Sequence, residues 1–234
     1  MIEIRDLRFA FAGSTAEVLA IDALSVNAGE TVFLHGPSGS GKSTLLALLA
    51  GVLVPSRGSV RVLGTAWSDL RSAERDRFRA DHVGVIFQQF NLLPYLGVLD
   101  NVLLACRFSP RRTARAAEAG GSAVLAAQAL LREVGLEEAL WRRPAARLSV
   151  GQQQRVAAAR AVIGAPELIL ADEPTSALDE ARRRSFVDLL LAECVAARTT
   201  LVFVSHDERL ATRFDRRIAL AEINRASTPL EQAA

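Results

Sequence analysis

Apolar and polar positions alternate over residues 2–11, where Ile2, Ile4, Leu7, Phe9 and Phe11 are interspersed with Glu3, Arg5 and Arg8. A period near two predicts an antiparallel strand with one buried face. A second strand pattern covers residues 24–27 and ends at the turn Ala28-Gly29. Residues 31–35 (TVFLH), 83–87 (VGVIF), 168–172 (LILAD) and 200–205 (TLVFVS) are short, nearly continuous apolar runs. Such runs predict strands buried on both faces, as in a parallel sheet. Residues 59–63 add one more short strand. Helical character is expected at 43–50, 72–79, 151–163 and 180–197. From about residue 91 to 150 the chain is rich in Ala, Leu and Arg, with helical periodicity at 122–134 after a Gly120-Gly121 break. This stretch predicts a mostly helical subdomain inserted between two halves of an α/β core. From Asn224 onward the chain reads as a loose tail.

At 234 residues, half of them hydrophobic, the chain is long enough for one large α/β domain covering its whole length. A net charge of +2 gives no electrostatic argument for nucleic acid. Cys106 and Cys194 are far apart and lack metal-ligand spacing, so they read as buried, reduced thiols. The first residues, MIEIRDLRF, do not resemble a signal peptide. The longest apolar stretch, 45–54, is about half of the ~20 residues that a bilayer span needs. Clustered arginines (Arg111, Arg112, Arg115; Arg142, Arg143; 182–184) read as solvated helix faces, the alternative being contact with acidic partner loops or lipid headgroups. His35 and His82 read as hydrogen-bonded structural residues.

Charge becomes informative at one position. The chain has 28 basic residues, and Lys42 is the only lysine among them. It lies in Gly36-Pro37-Ser38-Gly39-Ser40-Gly41-Lys42-Ser43-Thr44, directly after the buried strand 31–35. Glycines let backbone N–H groups wrap around phosphates, and the following helix start favours anions. Lysine supplies a compact ammonium for β- and γ-oxygens, and Ser43 a hydroxyl for Mg²⁺. This predicts a nucleotide-binding enzyme, which on this loop alone could be a kinase, a GTPase or a helicase. Downstream, the strand 168–172 ends in Asp172 and Glu173. Asp172 is placed to hold Mg²⁺ and Glu173 to polarise the attacking water as a general base. An acidic pair before Pro174 and Thr175 also fits a plain helix cap, but the phosphate loop upstream weighs against that. Between the two lies Ser149-Val150-Gly151-Gln152-Gln153. Ser149 is a good helix N-cap, and Gly151 lets a phosphate approach. One chain with its own phosphate loop does not need a second anion-binding helix start, so this one suits the γ-phosphate held by another copy.

Together these motifs resemble the ATP-binding-cassette ATPases over about residues 2–222. In that resemblance the loop at 36–44 is the Walker A motif, 168–172 is Walker B, and Glu173 is the catalytic base. Gln88 matches the Q-loop glutamine, which contacts Mg²⁺ and links ATP to a transport partner. Ser149, Gly151 and Gln152 belong to the signature motif, where Val150 replaces the first of two usual glycines and stiffens the loop. Asp179 matches the D-loop, and His206 the switch histidine that bonds the γ-phosphate. An aromatic is expected to stack on adenine; Phe11 is preferred to Phe9, with Val18 against the base edge.

The resemblance implies a P-loop (RecA-like) core with an N-terminal antiparallel β subdomain and the helical insertion. It implies ATP and Mg²⁺ as cofactors and a head-to-tail homodimer closed on ATP. It implies a cytoplasmic protein, peripheral on the inner membrane, that drives a permease docking near residues 88–102. The wording QQFNLLPYL and LSVGQQQRVAAARA is similar to lipoprotein-release and macrolide-export ATPases, whose permeases are FtsX/MacB-like. A polar amino-acid importer is the alternative within transport. A cassette acting on DNA or ribosomes is the alternative outside it, although such members carry coiled coils, zinc inserts or a second cassette. A regulator that does not hydrolyse ATP is disfavoured, because every catalytic position is filled.

Overall fold

A computed structural model describes residues 1–176 and 178–226. In chain order the strands are β1 (Ile2–Phe9), β2 (Leu19–Val26), β3 (Thr31–His35), β4 (Arg57–Val62), β5 (Thr65–Ala66), β6 (Val83–Ile86), β7 (Leu168–Asp172), β8 (Thr200–Val204) and β9 (Arg216–Ala219). The helices are α1 (Lys42–Leu49), α2 (Ser72–His82), α3 (Val98–Arg107), α4 (Pro110–Gly120), α5 (Ala123–Glu133), α6 (Val150–Val162), α7 (Glu180–Ala197) and α8 (Leu220–Ile223). The chain divides into two compact units, Met1–Asp76 with Val202–Ala234, and Arg77–Leu201.

The first unit contains an antiparallel sheet in the order β2-β1-β4-β5. Ile2, Ile4, Leu7 and Phe9 supply the buried face of β1, with Ile4 facing Leu24 on one side and Val60 on the other. The register with β4 shifts between Arg5 and Arg8, where Asp6 takes a positive φ of 48°. Gly58 makes that bulge possible, since a Cβ there would lie 2.2 Å from the Asp6 carbonyl oxygen. In the same unit β3 runs parallel to β9, Leu34 opposite Ile218. Phe33, Phe203 and Phe214 pack together with ring centroids 5.2–6.3 Å apart. Thr31 and Asp215 tie the two strands at their start through bonds of 2.8–3.1 Å.

The second unit pairs β6 and β7 in parallel, Gly84 opposite Ile169. Its helices α3, α4, α5 and α6 share a core of Val98, Val102, Cys106, Leu131, Trp141 and Val156. Both cysteines are buried and free. Burial raises the Cys194 thiol to about 12, so it is inert as a nucleophile at neutral pH.

Several expectations are corrected. The second strand starts at Leu19, five residues before the expected one, because Leu19, Ala20 and Ile21 are buried and Asp22 is spent on Arg8 at 2.9 Å. The first strand ends at Phe9, ahead of a turn. Arg112 is not on a solvated face; it is 3% exposed. Its guanidinium donates to the carbonyls of Ile163, Ala161 and Arg160 at 2.6–3.3 Å, capping the C-terminus of α6. Burial pulls it down to about 10, which leaves it charged at pH 7. Its neighbours Arg111 and Arg115 both pair with Glu167. Asn224 does not begin a loose tail: its side chain bonds to Ala20 and Val18. The rest of that segment, 227–234, lies outside the described residues.

Candidate active site

In the first unit the five residues of β3 are all buried and deliver the chain to the glycine-rich loop. Gly41 is the N-cap of α1 with φ 98°, and neither a capping side chain nor an acidic residue occupies the helix start. A helix start of that kind leaves its N–H dipoles to an external anion. A Cβ on Gly41 would meet Leu19 Cδ2 at 2.9 Å and the Val18 carbonyl at 3.4 Å. Only glycine therefore lets the loop press against the start of β2 in this left-handed conformation. Lys42 is 7% exposed, and its Nζ donates to the Gly36 and Pro37 carbonyls at 2.8 and 2.9 Å. The ammonium is thus drawn back over its own loop. Pro37, Ser38, Gly39 and Ser43 are exposed, Thr44 is half-buried, and the enclosed Ser40 Oγ has no hydrogen-bond partner among the described residues. A sheltered hydroxyl in a loop of exposed backbone suits a polar ligand.

Phe9 is buried and Phe11 is 50% exposed. The two rings meet edge to face at 5.1 Å, which leaves a face of Phe11 accessible. Val18 is half-buried and anchored through its N–H to the Phe9 carbonyl at 2.8 Å. His206 is exposed and follows β8. The turn that carries it is fixed by Ser205, whose N–H donates to the Leu34 carbonyl at 3.2 Å and whose Oγ accepts from Asp207 N at 3.1 Å. His35 and His82 are structural: Arg217 Nε donates to His35 Nε2 at 2.8 Å, and His82 Nδ1 lies 2.9 Å from Glu167.

In the second unit four buried residues of β7 lead to half-buried Asp172. Glu173 follows with φ 44°, a conformation that costs a non-glycine residue about 1 kcal/mol. The next carbonyl, of Pro174, accepts from Gln154 Nε2 at 2.7 Å, a fully buried link from α6. Ser149 caps α6 in a reciprocal box: its Oγ accepts from Gln152 N at 3.3 Å, and Gln152 Oε1 accepts from Ser149 N at 2.9 Å. Val150 occupies the first helical position with its side chain 48% exposed. A Cβ on Gly151 would meet nothing within 4 Å. The helix start is therefore open, and Gln152 is committed to holding it. Gln88 is exposed beyond β6. Phe90 and Asn91, at φ 61° and 46°, are held by Arg160 of α6, which donates to their carbonyls at 2.5 and 2.7 Å. Asp179 is the N-cap of α7, its Oδ1 accepting from Arg182 N at 3.0 Å. Ala177, two residues earlier, lies outside the described residues.

Gln154 and Arg160 did not stand out in the sequence. Gln152, Gln153 and Gln154 are identical side chains with three duties, cap, anchor to the Leu148 carbonyl at 3.1 Å and link to Pro174, and only the third points at the Glu173 turn.

A sequence model described as "ABC transporter" matches residues 19–176. The chain belongs to the ABC transporter family. It is 43% identical over 197 residues to the lipoprotein-releasing system ATP-binding protein LolD of Hydrogenovibrio crunogenus, covering 84% of this chain and 82% of that one. It is 40% identical over 214 residues to the macrolide export ATP-binding/permease protein MacB of Burkholderia pseudomallei, covering 91% of this chain and 31% of that longer one. Among solved structures, the dimeric post-hydrolysis state of the ATP-binding cassette MJ0796 bound to ADP and Pi matches with a TM-score of 0.79 and 34% identity, over 94% of each chain. The fold is the P-loop cassette, and the chain is an ABC transporter ATPase that binds and hydrolyses ATP.

Proposed function

We propose that this ATPase powers an export-type transporter of the lipoprotein-release or macrolide type. Two copies bind head to tail and enclose ATP between them. Each ATP is held by the loop 36–44 of one copy and by Ser149 and Gly151 of the other. The adenine stacks on Phe11 beside Val18. Gln88, Ser43 and Asp172 offer an amide, a hydroxyl and a carboxylate oxygen, a donor set that fits Mg²⁺, a hard cation which keeps several waters. Mg²⁺ would neutralise charge on the phosphates. Glu173 orients and deprotonates the attacking water, His206 steadies the γ-phosphate, and Asp179 senses the opposing copy. Phosphoryl transfer of this kind depends on positioning and charge stabilisation. An FtsX/MacB-like permease docks near residues 88–102, where Tyr95 is 72% exposed, and holds the protein on the cytoplasmic face of the inner membrane. Among the described residues no helix is long and apolar enough to cross a membrane.

The observation that carries the head-to-tail dimer is the open, capped start of α6 in a chain that already has its own phosphate loop; the export type rests on the likeness to the lipoprotein-release and macrolide-export proteins. The test is Glu173→Gln with Mg-ATP. Size exclusion should show an ATP-trapped dimer, and phosphate release should fall by roughly 10²–10⁴-fold. A monomer that hydrolyses normally overturns the assignment. Co-purification with a permease that lacks a large periplasmic domain would favour the importer alternative.

A further inference from the structure

We propose that Asn224 is a positioning residue for the nucleotide, fastening the adenine side of the site to the phosphate loop. The proposal rests on the reading of residues 36–44 as the ATP site. β2 is the outer strand of its sheet, so one edge of its backbone has no strand partner there. Asn224 occupies that edge. Its Oδ1 accepts from Ala20 N at 2.8 Å, and its Nδ2 donates to the Val18 carbonyl at 3.0 Å. The next residue extends the pairing, with Arg225 N donating to the Ala20 carbonyl at 2.8 Å. The same Nδ2 reaches the Ser40 carbonyl, in the phosphate loop, at 3.5 Å. One primary amide therefore touches both the segment that carries Val18 and the loop that carries Lys42.

The surroundings make this clasp rigid. Gly41 lies so close to Val18 and Leu19 that an added Cβ would be 2.9–3.4 Å from them. At the other end of the loop, a Cβ on Gly36 would sit 3.5 Å from Leu220 Cβ, and Leu220 is fully buried at the start of α8. Asn224 N donates to the Leu220 carbonyl at 2.8 Å, closing that short helix onto the clasp. Residues 220–224 thus meet the loop at its first glycine and at Ser40. The distance between an adenine beside Val18 and phosphates at Lys42 is set partly by this amide. Asparagine suits the position because it carries a donor and an acceptor on one planar group. Aspartate would keep the acceptor for Ala20 but turn a carboxylate oxygen toward the Val18 and Ser40 carbonyls.

The test is Asn224→Asp, with Asn224→Ala as a second variant should the first fail to fold, in the full-length chain. ATP binding and tripolyphosphate inhibition are measured beside KM, kcat and Tm. Losing charge-neutral bonds at a junction predicts a rise in Kd and KM for ATP of about tenfold. Binding of tripolyphosphate, which has no adenine side, should change by less than about threefold, and kcat at saturation by less than about twofold. Equal losses for ATP and tripolyphosphate overturn the proposal, as does a fall in kcat and Tm at unchanged KM. If the wild-type chain binds no ATP, the reading of the site fails; if it binds ATP and both variants bind it equally well, only the clasp fails.

Discussion

Glu173 combines an acid side chain with a left-handed backbone, φ 44°. A strand that ran straight on would not need that conformation; here the chain turns, with Ser176 N donating to the Glu173 carbonyl at 3.2 Å, and glycine would adopt the same φ without strain. Glu173 is the proposed general base, and its backbone carries this strain at the expense of local stability. Glu173→Gly and Glu173→Ala both remove the carboxylate, and both should abolish ATP turnover. Only alanine keeps a Cβ in the strained region, so the glycine variant should be the more stable by about 1 kcal/mol. Chemical denaturation of the two variants checks the sign; equal stability would mean the turn relaxes once the carboxylate is gone. At this scale the candidate site is partly legible in the sequence. Lys42 is conspicuous as the one lysine, in a glycine-rich loop after a buried run; Asp172 and Glu173 as a carboxylate pair closing an apolar run; and Ser149 as a helix cap, whereas His206 is marked only by the family resemblance. Arg112, Gln154, Arg160 and Asn224 were not readable, because their partners are backbone carbonyls and amides 20 to 206 residues away along the chain. A side chain's reach to a distant carbonyl leaves no trace in local pattern.

Among the elements, β3, β7 and α7 have the bounds their sequence patterns predict. The two strands are nearly continuous apolar runs, and α7 opens on Asp179, a strong cap. β9 escaped notice because it starts with Arg216 and Arg217 and buries only Ile218. The helices α3 and α4 were foreseen only as helical content. The surprise in this region is Glu167, one residue before β7, which gathers His82, Arg111 and Arg115 at 2.6–2.9 Å. Burial pushes its carboxyl up, but the bonds from Arg111 and His82 outweigh burial and bring it down to about 2. A carboxyl with a lowered folded-state value stabilises the fold at pH above the ordinary carboxylate range, and loses that contribution as pH falls through the folded value. Glu167→Gln should therefore lower Tm at pH 7, and the gap to wild type should narrow between about pH 4.5 and 2. A gap that stays constant over that range would show that the network contributes no net charge stabilisation. The second element-level device is Arg112 at the end of α6, aligned with a helix dipole and three carbonyls. Arg112→Met should cost about 2–4 kcal/mol by leaving those buried carbonyls without their donor. Urea melts would check it; a loss below about 0.5 kcal/mol, typical of a surface arginine, would refute the capping role.

Across the whole molecule, the candidate site residues fall in both units. Lys42, Ser43 and His206 belong to the first, and Gln88, Ser149, Asp172, Glu173 and Asp179 to the second. Cavity and chemistry do not coincide within the second unit. A cavity of about 240 Å³ there is lined by Ala116, Leu130, Val162, Ile169 and Glu193 among others, and none of the motif residues borders it. The sole lysine of the chain has one more consequence. A protease that cuts only after lysine has a single cleavage point in all 234 residues, between Lys42 and Ser43. That bond lies in the first turn of α1, beside an ammonium 7% exposed and bonded to two carbonyls. Digestion of the native protein should leave one intact band, denaturant should release two fragments and no more, and ATP should slow the cut further. The phosphate loop is thus a built-in tamper seal, and a gel band reports whether it has opened.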